Sequence, residues 1–148
     1  MKPSHIVRHR LVSQHIAGTM LTSAPALVGW MGAMQAQDYA MAKWAVGVRV
    51  PGATEANVEA ALNAGEILRT HVLRPTWHLV AAEDIYWMLA LTAPHIIASQ
   101  KARHAELELT PAVLKKTYRL LEKTLRDGNY QTREELNGVF ERAKISIE

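Results

Sequence analysis

The chain has 148 residues, 49% of them apolar, and a formal net charge of +3. That is enough for one ordinary domain, or one and a half small ones, with a real core. The absence of cysteine excludes disulfides, iron–sulfur clusters, thiolate zinc sites and a cysteine nucleophile, and it suits a reducing, cytoplasmic setting.

Taken in chain order, Ser4 is placed to cap a first helix that runs to about Ala17 and stops at Gly18, with Ile6, Val7, Leu11 and Ile16 as a loose apolar side. Ser23 followed by Pro25 opens a second helix, Ala24 to about Ala33. Met34 to Gln37 breaks the helical pattern. A third helix follows from Tyr39 to Val48, with Met41, Trp44, Ala45 and Val48 on one side, and Pro51-Gly52 stops it. Thr54 caps a fourth helix to Ala64 that turns Val58, Ala61 and Leu62 inward.

Ile67 to Leu73, the turn Arg74-Pro75 and Thr76 to Val80 are rich in β-branched and aromatic residues and read as a β-hairpin. The chain then returns to helix through Tyr86, Trp87 and Leu91, kinks or restarts at Pro94, and continues to about Ala105. Thr110-Pro111 starts a long helix to Arg126 that Asp127-Gly128 ends. Thr132-Arg133-Glu134-Glu135 is a capping box for a last helix to about Ala143, followed by Ile145, Ser146 and Ile147.

The expected fold is therefore mainly α with a small β-hairpin, an α+β chain. Three helices and a hairpin over residues 24–80 follow the order of a winged helix-turn-helix. The same order begins again near the C-terminus, as at the start of a tandem array. The expected division is residues 1–105 for the first winged-helix unit with its flanking helices. Residues 106–148 form a connecting helix and an incomplete second unit, whose exposed surface can drive oligomerisation.

Charge sharpens the picture. Residues 1–80 hold 7 of the 17 basic and 4 of the 14 acidic residues, so the whole excess lies in the first part, where a phosphate backbone would be met. The longest apolar run, Ala24 to Met34, is about half of a membrane span. Lys2, Arg8 and Arg10 are followed by Gln14 and His15 rather than by an apolar segment, so neither a secretory leader nor a membrane partner is expected.

Two blocks carry a family resemblance. One is Trp30-Met31-Gly32-Ala33-Met34-Gln35-Ala36-Gln37-Asp38-Tyr39; the other runs from Leu68 through Arg69, Thr70, His71, Val72, Leu73, Arg74, Pro75, Thr76, Trp77, His78 and Leu79 to Val80. They resemble the winged-helix DNA-binding family that includes the AlkZ- and YcaQ-type DNA glycosylases. Many members carry glycine where this chain has Pro75. The segment from Thr132 to Ile145 resembles the start of the family's second winged helix. Members are roughly twice this length or more.

The resemblance implies a tandem array of winged helices around a DNA-holding channel, with excision of alkylated bases. It also implies that a Gln–hydrophobic–Gln motif, here Gln35-Ala36-Gln37, carries the chemistry. Double-stranded DNA with alkylated bases is the implied partner, and no cofactor is implied. The alternative is a non-catalytic winged-helix DNA-binding or regulatory protein.

The residues add their own constraints. Two positions apart, Gln35 and Gln37 point the same way on extended backbone and diverge by roughly 200° on a helix. A glutamine amide is no base, but two can hold and orient one water. Asp38, one position out of phase, is expected to face elsewhere and to cap the following helix. The fourth helix carries Glu55, Asn57, Glu59 and Asn63 without lysine or arginine, which speaks against sequence reading in a major groove. Arg8, Arg10, Arg69, Arg74 and His78 are the candidate DNA contacts. His5 and His9 lie four apart but lack a third ligand, so no metal is expected. Trp30, Trp44, Trp77 and Trp87 read as core residues.

Overall fold

The computed structural model describes residues 3–18, 20–74 and 76–146. Pro75, expected in the turn, and Ile147 lie outside them. The chain divides into two compact units, residues 1–97 and 98–148. The first begins with α1 (Pro3–Ser13), α2 (Ala24–Met31), β1 (Ala33–Gln35), α3 (Tyr39–Gly47) and α4 (Glu55–Asn63), and continues through β2 (Ile67–Val72) and β3 (Thr76–Ala81) into α5 (Ile85–Ser99). The second holds α6 (Lys101–Glu106), α7 (Pro111–Thr124), a 3-10 turn (Arg126–Gly128) and α8 (Arg133–Arg142). Residues 101–106 thus fall with the second unit.

The order α2–β1–α3–α4–β2–β3 is that of a winged helix, with β1 as a third strand where the sequence pattern shows only a break in helix. The sheet is antiparallel in the order β1-β3-β2. Ala33, Met34 and Gln35 pair with Val80, Leu79 and His78, and β2 pairs with β3 from Ile67↔Ala81 to Val72↔Thr76. β1 forms because Gly32, at φ 73, ends α2 in a backbone region open to glycine and turns the chain toward β3. That is why α2 stops at Met31 rather than at Ala33. The hairpin turns at Leu73, whose φ is 62, one residue earlier than the run of apolar residues suggests.

Each face of the sheet covers its own core. On one face Leu79, Met34 and Ile67 join Leu27 and Val28 of α2, Ala42 and Val46 of α3 and Val58 and Ala61 of α4. On the other, Val72 and Val80 pack with Met88 of α5, flanked by Ala33, Leu68 and Ile85. The larger core is built mostly from alanine and valine, so its helices and sheet approach too closely to admit an indole. All four tryptophans accordingly lie outside, from 37% exposed at Trp77 to 63% at Trp44, against the expectation of core positions.

The α3 stripe is rotated by one position from the expected one. Ala42, Lys43 and Val46 are buried, whereas Met41, Trp44 and Val48 are exposed and line a groove of about 520 Å³ beside Thr54 and Glu55. α1 is shorter than expected. Ser4 lies inside the helix rather than capping it. The chain leaves the helix after Ser13, whose hydroxyl donates to the Arg10 carbonyl, through a turn with His15 at φ 51. None of the α1 side chains is buried. Pro94 sits within α5, and the break comes at Gln100 instead. α7 ends at Thr124, two residues before Arg126, with Asp127 at φ 61.

The expected caps at Ser23, Thr54, Thr110 and Thr132 are present, each side-chain oxygen accepting a first-turn N–H. In the second unit Glu135 completes the capping box, and the backbone N–H of Thr132 holds its carboxyl below the usual range. α7 and α8 contact each other, with the Lys116 ammonium on the Ala143 carbonyl.

Among the described residues of the first unit one charge is buried. Lys43, 9% exposed, places its Nζ 2.5 Å from both Glu55 Oε1 and Glu59 Oε1. Tyr39 donates to the other oxygen of Glu59 at 2.8 Å. The two carboxylates hold the Lys43 ammonium well above the usual lysine range. Lys43 and then Tyr39 hold Glu59 below the usual carboxylate range. Burial, then the hydrogen bond to Glu59, raises the Tyr39 phenol.

Two outcomes are expected. Leu79→Ala, at a fully buried position between two strands, should lower stability by about 2–5 kcal/mol, whereas Trp44→Ala should change it by no more than about 0.5 kcal/mol, as read from urea unfolding midpoints. The cluster around Lys43 should contribute stability throughout neutral pH. On the acid side the Glu59 share is present above the ordinary carboxylate pKa and is lost as pH falls through its depressed value. On the alkaline side the Lys43 and Tyr39 shares are lost as pH rises through their raised values. Lys43→Met should therefore narrow the difference between unfolding midpoints at neutral and acid pH.

Candidate active site and nucleic-acid interface

The site is built where β1 gives way to α3. From Ala33 to Gln35 the backbone is in the sheet, and beyond it the Ala36 N–H still donates to the Trp77 carbonyl at 2.8 Å. Extended backbone sends alternate side chains to opposite sides. Met34 and Ala36 are buried, and Gln35, Gln37 and Asp38 are exposed. The two glutamines line one groove of about 330 Å³ with Asp38, Met41 and Ala42. Gln35 and Gln37 are thus brought together as the spacing requires.

Asp38 caps α3, its Oδ1 accepting from the Met41 N–H at 3.0 Å. It also lines the same groove, contrary to the expectation that it faces elsewhere. The reason is local: the chain turns into α3 at Asp38, so strand phase no longer sets its direction.

Cross-strand partners share a face of an antiparallel sheet. Gln35 pairs with His78, and His78 pairs with Thr70, so the three form one row across β1, β3 and β2. This row lies between that of Ala33, Val80 and Leu68 and that of Val72, on the sheet face that packs against α5. His78 is half-buried, with Nδ1 2.8 Å from the Thr76 carbonyl. Thr70 was not singled out from sequence. The two-residue period from Leu68 to Val72 was the signal that places it beside His78.

Arg69 lies on the opposite face, where its pairing partner is Leu79. Its Nε and Nη2 donate to the Ala36 carbonyl at 3.0 and 2.9 Å, and Nη2 also reaches the Gln37 carbonyl at 3.2 Å. Its guanidinium stands 4.3 Å from the Trp77 ring centre and 5.4 Å from that of Tyr39. The Trp77 ring also contacts His71 at 3.9 Å. Arg74 is exposed at the hairpin turn, its carbonyl accepting from the Thr76 hydroxyl at 3.2 Å. Arg8 and Arg10 are exposed on α1, and no hydrogen bond or ion pair among the described residues joins their side chains to the groove. α1 is nonetheless tied to the unit through its C-terminal turn: Arg49 Nε donates to the Gln14 carbonyl at 2.8 Å, and His15 meets Trp30 edge-on at 4.0 Å.

The acidic face of α4 is occupied from within. Glu55 and Glu59 hold Lys43, and the Asn57 side chain accepts from the Thr54 N–H at 2.8 Å. Lys43 was missed from sequence. It is the one cation of its helix, and the acid pair four residues apart on α4 was the sign that such a partner existed. Among the described residues no three His, Asp or Glu side chains gather as a metal-binding set, and no helix is long and apolar enough to cross a membrane.

Comparison with known proteins agrees with this architecture. No curated protein matches the chain. A solved structure, the Streptomyces sahachiroi DNA glycosylase AlkZ, superposes with a TM-score of 0.77 at 23% identity, over 91% of this chain and 36% of that one. The chain therefore spans little more than a third of that protein's length, and at this identity the likeness shows the fold. The family model described as DNA glycosylase AlkZ-like matches residues 28–147, from the middle of α2 through α8. With the match covering most of its length and both glutamines inside it, the chain belongs to the AlkZ-like DNA glycosylase family.

Proposed function

We propose that the protein hydrolyses the N-glycosidic bond of cationic alkylated purines in duplex DNA, with Gln35 and Gln37 orienting the attacking water. The observation that carries this reading is the alternation at β1: two exposed amides on one groove, separated by a buried alanine.

The chemistry asks little of the protein. A purine alkylated at N7 or N3 already carries positive charge. As the bond from the sugar carbon to N9 breaks, its electron pair returns to the base, which leaves neutral. The sugar acquires oxocarbenium character, water adds to that carbon, and its proton passes to solvent. Gln35 and Gln37 supply position by accepting hydrogen bonds from the water through their carbonyl oxygens. The carboxylate of Asp38 in the same groove adds a negative charge that favours the cationic sugar. In this reading His78, the cross-strand partner of Gln35, contacts the DNA, and the exposed Arg74, Arg8 and Arg10 contact phosphates. The shortage of basic side chains on α4 favours a fold used as a wall for damaged DNA over one that reads base sequence. A cytoplasmic setting goes with this reading.

The test is release of base from duplexes carrying N7-methylguanine. Gln35→Ala and Gln37→Ala should each lower the release rate by at least about tenfold while binding stays within about threefold, since the amides act on the water rather than on the duplex. Equal release by wild type and the double variant would remove the catalytic assignment. Duplexes with a neutral lesion such as uracil should give no release above background, because the leaving group then needs a proton that this groove does not donate.

A further inference from the structure

We propose that Arg69 is the positioning residue of this site: it holds the Gln35–Gln37 segment extended by binding the carbonyls of Ala36 and Gln37, rather than contacting DNA. The proposal deepens the glycosylase reading above and, for its catalytic arm, rests on it.

β1 is only three residues long and ends at Gln35. Past that point one backbone bond remains to the sheet, from the Ala36 N–H to the Trp77 carbonyl. The next anchor is Asp38, as the cap of α3. The peptide units on either side of Gln37 would have no ladder to fix their carbonyls. Arg69 takes the place of a neighbouring strand. Its fork spans two successive carbonyls, with contacts of 3.0, 2.9 and 3.2 Å. An α-helical alternative for this stretch would rotate the Gln37 side chain away from Gln35. The fork therefore maintains the geometry the pair requires.

The guanidinium is itself held. It lies against the face of Trp77 and near that of Tyr39. Tyr39 is fixed in turn by its hydrogen bond to Glu59, which Lys43 also binds. Arg69 emerges from the sheet face shared with Leu79, whereas Gln35, Thr70 and His78 share the other face. Two of its nitrogens are already committed to backbone oxygens. A planar, fixed fork suits this work and a lysine ammonium does not.

Arg69→Lys, Arg69→Met and the wild type would be compared in three measurements. Amide hydrogen exchange at Ala36 should accelerate in both variants while exchange at Leu79 stays slow, which reports loss of local order in an intact sheet. Release from N7-methylguanine duplex should fall by about 100-fold in both, with lysine giving no rescue. The slope of log affinity against log salt should be unchanged, whereas loss of a phosphate contact would reduce it by about one.

Unchanged Ala36 exchange in Arg69→Lys, or a slope reduced by one, overturns the positioning role. If Arg69→Met fails to fold, Arg69→Lys, which keeps the charge and the aliphatic stem, carries the test. If the Gln35/Gln37 double variant still releases base, the glycosylase reading falls, and the exchange measurement still decides whether Arg69 holds the segment.

Discussion

The three residue pairs that join β1 to β3 set the geometry of the first unit. Because Met34 pairs with Leu79 on the buried face, the phase of the chain is determined as far as its last sheet bond at Ala36, with Met34 and Ala36 inward and Gln35 outward, and Gln37 follows as the next exposed residue. A slip of one residue would send both amides into the core and bring Met34 and Ala36 to the surface. The buried side of the strand thus enforces the exposed side. β1 is also an edge strand, paired within the sheet on one side only.

Two devices continue this control after the strand ends. One is the cap at Asp38, which converts the chain to helix at the point where strand pairing has stopped. The other is the set of charged and aromatic groups behind the segment, from Arg69 through Tyr39 and Glu59 to Lys43 and Glu55. This set links β2, α3 and α4. It also engages both acids of α4, so the helix that would read bases in an ordinary winged helix is turned to internal support.

The small side chains of the main core have a further consequence. Alanine and valine let α2, α3 and α4 pack closely on the sheet, and the large aromatic residues are left at the surface. Trp77 then serves as a platform for Arg69, and Trp44 lines the groove between α3 and α4. Exposed indoles in this protein are parts of particular contacts and grooves rather than misplaced core residues.

Much of the local structure was determined by the sequence alone. The cap residues Ser23, Thr54, Thr110 and Thr132 and the two strands of the hairpin follow from interactions within a few residues, and so they were legible. The two-residue spacing of Gln35 and Gln37 likewise defined the geometry needed to bring them together. Tertiary structure decided what local pattern could not: that Ala33–Gln35 is a strand, that Ala42 rather than Met41 faces the core, that the tryptophans lie outside, and that Arg69 binds backbone carbonyls more than thirty residues away. Each of these depends on a partner distant in sequence. A three-residue segment has no periodicity of its own, and an arginine carries no sign of whether its fork will meet a phosphate or a carbonyl.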